Sequence, residues 1–301
     1  MINSKHKYSL AHRIKSSWVS YLMLIPFFSL VLFFIVIPVS AAIVLSFTDF
    51  NMVEFPKWVG WLNYQRLFIE DQTFLIALKN TLFFALVNGP ISYIFAFIMA
   101  WIINEMPRKF RVFMTVVFYA PSISGNIYFI WTYLFNGDQY GIANSFLMNM
   151  NIIKEPIQWL TDAKYNMTIV ILIQIWLSLG VGFLSFIAGL QSIDISQYEA
   201  GIIDGIKNRF QRLWYITIPN MKSMLLFGAV IQIAGALSVG DVTQALTGGY
   251  TSMNYSTMTI INYITDYATQ RYEMGYASAI GVVLFILVVV CKKSLFRLFR
   301  S

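Results

Sequence analysis

Long uncharged apolar stretches alternate along the chain with short polar segments. The uncharged stretches run from Tyr21 to Phe47 (27 residues), Thr81 to Asn104 (24), Val112 to Asn136 (25), Tyr165 to Ile193 (29), Ser223 to Gly240 (18) and Met274 to Cys291 (18). Each predicts a bilayer-crossing helix, because about 20 residues at ~1.5 Å rise cover the ~30 Å hydrocarbon core. A transmembrane barrel needs short strands that alternate apolar with polar residues, and runs such as "LMLIPFFSLVLFFIVI" do not alternate. The first stretch is also longer than the roughly 7 to 15 apolar residues of a secretory signal, so it predicts a retained span. The expected architecture is an all-α membrane protein with six spans, at about 20–47, 76–104, 112–135, 166–190, 223–246 and 274–292. They form one domain, 19–301, behind a tail, 1–18, with no internal repeat evident and no low-complexity linker.

Proline and glycine fall inside these stretches at Pro26, Pro38, Gly89, Pro90, Pro121, Gly180 and Gly182. In a membrane they predict kinks or close helix packing, since neighbouring helices can satisfy the freed backbone groups. Trp58, Trp61, Trp131 and Tyr133 fall where aromatic anchors of the membrane interface are expected, the alternative being contact with an external partner or a ligand.

Composition agrees: 58% of residues are hydrophobic and 12% charged, against about 25% charged in soluble domains. The net charge of +7 would suit nucleic acid, but the charges sort by side. With the N-terminus cytoplasmic, 15 of the 21 basic residues fall in segments on the inner side, while the outer segments hold nine acidic residues between Asp49 and Glu273. That is the positive-inside bias of a membrane protein with both termini cytoplasmic, and it removes the case for nucleic acid. Cys291 is alone, which excludes an internal disulfide or a cysteine metal site. His6 and His12 lie in the tail, leaving no histidine for an intramembrane proton relay.

One polar stretch carries more information than a connection requires. "EAGIIDGIKNRFQRLWYITIP", Glu199 to Pro219, lies on the inner side between the fourth and fifth spans. Ser196 to Glu199 reads as a capping box that starts a short helix, with Tyr198, Ile202 and Ile206 on one face. Gly205 suits a sharp turn, because it takes positive φ without a Cβ clash. Asn208 can cap a second short helix that places Phe210, Leu213 and Trp214 together. Two such helices form either a knob for a partner's groove or an interfacial pair lying on the inner leaflet.

The stretch resembles the EAA signature of the membrane subunits of ATP-binding-cassette importers, E-A-A then D-G then an apolar segment ending I-x-L-P. Glu199, Ala200, Asp204, Gly205, Ile216 and Pro219 match, while Gly201, Ile206 and Ile218 depart from the usual residues. "WVGWLNYQRLF", "YAPSISGNIYFIWTYLFNGDQYGIAN", "FIAGLQSIDISQYEA", "LTGG" and "GYASAIGVVLFIL" resemble, in order, further blocks of the carbohydrate-uptake permeases, the maltose, glycerol-phosphate and multiple-sugar group. The resemblance implies a type I importer core of six spans whose EAA segment is a coupling helix docking on a cytoplasmic ATPase. Carried onto this chain, the coupling residues are Glu199, Ala200, Gly201, Asp204, Gly205, Phe210 and Pro219.

No Walker A loop occurs in the chain, so the resemblance implies a transport subunit that is not itself an enzyme and binds no cofactor. ATP and Mg would be held by a partner ATPase dimer. It also implies a second homologous permease, an extracytoplasmic sugar-binding protein, and a multi-pass place in a bacterial plasma membrane. A sugar path needs polar groups and rings at membrane depth, and the candidates are Tyr128, Gln174, Trp176, Ser178, Gln232, Ser238 and Asp241. Asp241 also reads as a hydrated residue near a helix end. An ion-driven secondary transporter would want paired intramembrane carboxylates, histidines or inverted repeats, and an intramembrane enzyme would want a nucleophile with its base; neither pattern stands out.

Overall fold

The computed structural model describes residues 17–125 and 127–300. The first sixteen residues of the tail, with His6 and His12, lie outside the described residues. Helices dominate, and among the described residues there is no strand beyond an isolated bridge between Thr48 and Trp58. The helices are α1 (Trp18–Leu45), α2 (Gln72–Asn104), α3 (Arg108–Ile123), α4 (Tyr128–Leu134), α5 (Ile142–Asn149), α6 (Asn166–Leu177) and α7 (Val181–Gln191). They continue as α8 (Ile195–Ile203), α9 (Arg209–Asn220), α10 (Lys222–Leu237), α11 (Asp241–Thr247), α12 (Ile260–Thr265) and α13 (Met274–Arg300).

Four stretches are long and apolar enough to cross a membrane without a sharp bend: α1, α2, α6 with α7, and the Met274–Ser294 part of α13. The expected third span is not one rod, because α3 and α4 meet at 86°, and α10 meets α9 at 81°. Counting each bent pair as one span gives six. The expected fourth span is interrupted over Ser178–Gly180, and α10 ends at Leu237, short of residue 246, before α11 starts afresh at Asp241.

Prolines shape the helices where the backbone gives way. The π turns Leu32–Val36 and Leu213–Thr217 each end two residues before a proline, Pro38 and Pro219. Proline cannot donate to the carbonyl four residues back and its ring crowds that carbonyl, so one widened turn relieves both faults. Pro90, by contrast, sits inside the uninterrupted α2.

The packed heart is α2, α7 and α10. Small residues let these backbones close up: Ser92, Ala96 and Ala100 of α2 are fully buried, and a Cβ on Gly89 would rest 3.8 Å from Ile233. In a bilayer lipid tails are as apolar as leucine, so fit, rather than escape from water, holds such helices together. Phe186 of α7 fills the centre, with its ring edge-to-face against Tyr93 at 5.4 Å and Phe97 at 5.6 Å. α1 differs: it is apolar along its length, and none of its residues is buried. Its Ile37–Leu45 part packs along α13.

The end of the bundle where α2 begins is tied by a polar and aromatic knot. Asp71 caps α2 by accepting from the Phe74 amide at 3.0 Å, and it also accepts from the hydroxyls of Tyr263 and, at 2.6 Å, Tyr276. Arg66 pairs with Glu273 at 2.6 Å and lies 4.2 Å from the Tyr276 ring centre. Burial pushes the Asp71 carboxyl up, but the Tyr263 and Tyr276 hydroxyls and the Phe74 amide outweigh burial and hold it below the usual carboxylate range.

A carboxyl held low when folded stabilises the protein at neutral pH, and that contribution disappears as pH falls through the lowered value. The melting temperature in detergent is therefore expected to drop below about pH 4. Asp71→Asn should melt lower at neutral pH and lose this acid-side component. Superimposable melting curves for the two proteins from pH 7 to pH 3 would contradict the assignment.

Candidate functional site

At the other end of the bundle, the chain from Asp194 to Asn220 folds as α8, a turn and α9. α8 is capped by Asp194, whose Oδ1 accepts from the Ser196 amide at 3.0 Å. This corrects the Ser196–Glu199 capping box: the cap is Asp194 and the helix starts two residues earlier, while Glu199 stands exposed on its flank. The Ser196 amide and hydroxyl hold the Asp194 carboxyl below its usual range.

The inward face of α8 is Tyr198 and Gly201, whereas Ile202, expected beside Tyr198, is 52% exposed. Gly201 explains the shift, since a Cβ there would lie 2.6 Å from Cδ1 of Ile216 and 3.1 Å from Cδ1 of Ile206. The two isoleucines close over the glycine and turn Ile202 outward. Gly205 makes the expected turn with φ +93, and the Ile206 amide donates back to the Gly201 carbonyl at 2.9 Å. Asn208 caps α9 as expected, accepting from the Gln211 amide at 2.7 Å.

The unit is tied inward and left bare outward. Tyr198 and Thr217 share a hydroxyl contact of 3.0 Å, and Asn220 donates to Gln197 at 2.7 Å. Arg209 approaches Glu105, just past α2, at 3.7 Å, and the Phe210 and Trp101 rings lie 5.6 Å apart. Ile203 is 86% exposed and Trp214 68%, and Phe210, though beside Trp101, is 72% exposed. Glu199, Ala200, Asp204 and Pro219 are exposed on the same unit. Apolar groups of this size left open beside charged ones mark a surface that something else covers.

A second locus lies within the bundle, where helices break. Nε2 of the buried Gln232 donates to the carbonyl of Ser178 at 3.1 Å, bridging α10 to the gap between α6 and α7. A Cβ on Gly180 would lie 3.5 Å from Ser122 near the end of α3, and one on Gly182 3.4 Å from Nε2 of Gln232. Backbone that leaves the helix at membrane depth survives only where protein or a wet cavity satisfies it. Of the sequence candidates, Ser178 and Gln232 therefore meet directly.

Trp176 stands edge-to-face with Trp131 at 5.2 Å, and Tyr128 packs in the same aromatic region. Gln174 is half-buried, Ser238 is exposed past the end of α10, and Asp241 is exposed in the first turn of α11, which packs on α4. Trp131, expected as an interfacial anchor, is half-buried, and its Nε1 is buried without a partner. Ser122 carries no sequence signal, whereas Gly180, expected as a kink or close-packing glycine, falls in the break between α6 and α7, within the run "SLGVG". No cluster of histidine, cysteine, aspartate or glutamate able to hold a metal occurs among the described residues.

Comparison with known proteins decides the family. The description "binding-protein-dependent transport system inner membrane component" matches residues 92–300. The chain belongs to that family. This permease is 30% identical over 286 residues to the probable ABC transporter permease protein YesP of Bacillus subtilis, an alignment covering 94% of this chain and 91% of YesP. It is 30% identical to the lactose transport system permease protein LacF of Rhizobium radiobacter, with 90% of each chain covered. Its fold matches a chain of a bacterial alginate ABC transporter, crystallised in complex with an alginate pentasaccharide-bound periplasmic protein, with a TM-score of 0.77 at 25% identity and 95% of each chain covered. The permease is a multi-pass membrane protein of bacterial type, as its apolar helices require.

Proposed function

We propose that the permease forms half of the translocation path of an ATP-driven saccharide importer and couples it to a cytoplasmic ATPase dimer through the Gly205 unit. The observation that carries this reading is the bare apolar crest of Ile203, Phe210 and Trp214 on a unit tied inward to α2. Two short helices that leave an apolar crest open suit a partner's groove, and the match to a family of transport-system membrane components supports such a partner. The Gly205 end is then cytoplasmic and the Asp71 end faces outward. The family description and the sugar systems among the relatives support a saccharide cargo delivered by an outer binding protein. A second permease would complete the path and give α1, unburied by its own chain, a surface to lie against.

The path itself is read from the meeting of Ser178, Gln232, Gly180 and Ser122, with Tyr128 and Trp176 as rings beside it and Gln174, Ser238 and Asp241 along it. Interrupted helices supply free backbone groups for hydroxyl-rich cargo. Asp241 at the start of α11 is available to accept from a sugar hydroxyl. Asp241→Asn is expected to raise the KM of uptake about tenfold, the loss of one charge-assisted hydrogen bond. Unchanged uptake would remove Asp241 from the path.

Purification of the tagged chain from its host in mild detergent tests the assembly. An ATPase and a second permease are expected in stoichiometric amounts by mass spectrometry. Uptake should fail on ATP depletion and survive collapse of the proton gradient, whereas the opposite result would mean an ion-driven transporter.

A further inference from the structure

A cleft of about 510 Å³ opens between α4 and the segment that follows α5, at the end of the bundle remote from Gly205. Phe129, Thr132 and Tyr133 of α4 line one side, and Asn136, Gln158 and Thr161 line the other. This volume falls in the range of small-molecule sites, and its mixture of rings and side-chain amides is not that of an ordinary lipid-facing groove. Of these residues only Tyr133 carries a sequence expectation, as an interfacial anchor or a contact for an external partner or ligand.

The far wall is built to hold its shape. Asn144, fully buried, has its Nδ2 shared among the carbonyls of Asn136, Asp138 and Ile157 at 3.0 to 3.2 Å. Its Oδ1 accepts from the Ile157 amide at 3.1 Å and from Nε1 of Trp159 at 2.8 Å. One side chain thus fixes the backbone on both sides of Asn136 and Gln158. Gly137 completes the fit: a Cβ there would lie 2.2 Å from Oε1 of Gln158, so only glycine lets that side chain fold over and donate to the Gly137 carbonyl at 2.8 Å.

The polar groups keep hydrogen-bonding capacity to spare. Nε2 of Gln158 retains its second hydrogen, and its Oε1 accepts only from Thr161 at 3.3 Å. Asn136 uses its amide nitrogen on Asp138 at 3.0 Å and keeps its carbonyl oxygen. Across from them Phe129 and Tyr133 are exposed rings. Sugars present hydroxyl groups on their rims and C–H groups on their faces, and this pairing of amides with rings answers both. No charged residue lines the cleft, so nothing there would pair with a carboxylate or phosphate on the ligand.

We propose that this cleft is an outer saccharide subsite, taking one unit of an uncharged oligosaccharide through Tyr133, Phe129, Asn136, Gln158 and Thr161 before the chain enters the membrane path. The inference rests on the saccharide-import reading above. α4 links the two places: Tyr128 and Trp131 turn into the aromatic cluster of the path, while Phe129, Thr132 and Tyr133 face the cleft. A cargo of several units that fills both at once gains affinity without any new contact in the membrane.

The complete transporter, in proteoliposomes with ATP on the ATPase side, is supplied with its binding protein and one of lactose, arabinotriose, maltopentaose or an alginate pentasaccharide. Tyr133→Ala and Gln158→Ala are compared with wild type, after melting curves confirm that each is folded. For whichever neutral saccharide of three or more units the wild type takes up, both variants should raise KM about tenfold with kcat unchanged. The effect on lactose should be smaller, since a shorter cargo has fewer units with which to fill a second site. A merely structural role would lower kcat for all cargoes alike. Unchanged KM in both variants, or wild-type uptake confined to lactose or to the alginate pentasaccharide, overturns the subsite while leaving the import reading standing. Uptake of none of the four saccharides despite ATP hydrolysis removes the saccharide reading and the subsite together.

Discussion

Gly205→Asp is expected to cut uptake to about 1% of wild type or less while the permease still reaches the membrane in normal amount. The backbone at Gly205 sits at φ +93, where an L side chain costs roughly 1 kcal/mol or more. Space on this chain is not the obstacle, because a Cβ there meets nothing within 4 Å. The open position is the point: Gly205 stands at the apex of the unit, beside the bare Ile203, where a partner's surface would come closest. A second carboxylate placed there, beside Asp204, must be desolvated on docking, which costs more than the strain. A hundredfold loss corresponds to about 2.7 kcal/mol, less than that penalty. Gly205→Ala shares the strain but not the charge and should keep roughly a tenth or more of the uptake. Immunoblots of membrane fractions beside uptake rates separate folding from coupling. Normal transport by Gly205→Asp would falsify the docking role of this turn.

The local chemistry of that turn was legible in the sequence. Gly205 and Asn208 are residues whose own backbone preferences fix what they do, so the turn and the second cap followed from identity alone. The start of α8 was misplaced because Asp194 and Ser196 are both good caps, and the choice depends on where the chain leaves α7. The interior face of α8 was misread for a tertiary reason. Periodicity pairs Tyr198 with Ile202, but the face that turns inward is the one carrying the smallest residue, Gly201, over which Ile216 packs.

The spans were legible as apolar lengths, with Pro121 and Gly180 marking where they could kink but not the size of the bend. Hydropathy adds residues along a window, so the 86° bend between α3 and α4 leaves no trace in it. The same holds for the break at Ser178–Gly180, whose polar backbone is answered by Gln232, a residue 54 positions from Ser178 in sequence. Trp131 was read from its place near a span end, yet the bend folds it back against Trp176. The candidate path was thus half visible, with its residue types apparent and their meeting hidden.

Removing the ring of Phe186 is expected to have the largest effect on stability of any single truncation in the bundle. Phe186 is fully buried between α2 and α10, in edge contact with Tyr93 and Phe97. Phe→Ala in a soluble core costs about 3 to 5 kcal/mol. In a bilayer the part of that cost due to escape from water falls away, and the lost packing remains, so about 3 kcal/mol is the expected figure for Phe186→Ala. On the facing helix a Cβ at Gly228 would lie 2.3 Å from Cζ of Phe186, and Gly228→Ala should cost about 1 to 3 kcal/mol through overpacking. The two changes relieve one another, because the new methyl enters the space the ring vacates. The double variant should therefore be more stable than the sum of the singles predicts, by about 1 to 2 kcal/mol, the coupling usual for residues in contact. Reversible unfolding in mixed micelles measures all three, and strict additivity would mean that the ring and the glycine do not form one joint. If the Gly205 unit couples transport as proposed, the joint bears on it, because α7 leads into that unit and α10 leads out of it. A displacement of that unit can swing both helices as one body only while Phe186 keeps them locked, so Phe186→Ala should also lower uptake per ATP hydrolysed, beyond its loss of folded protein.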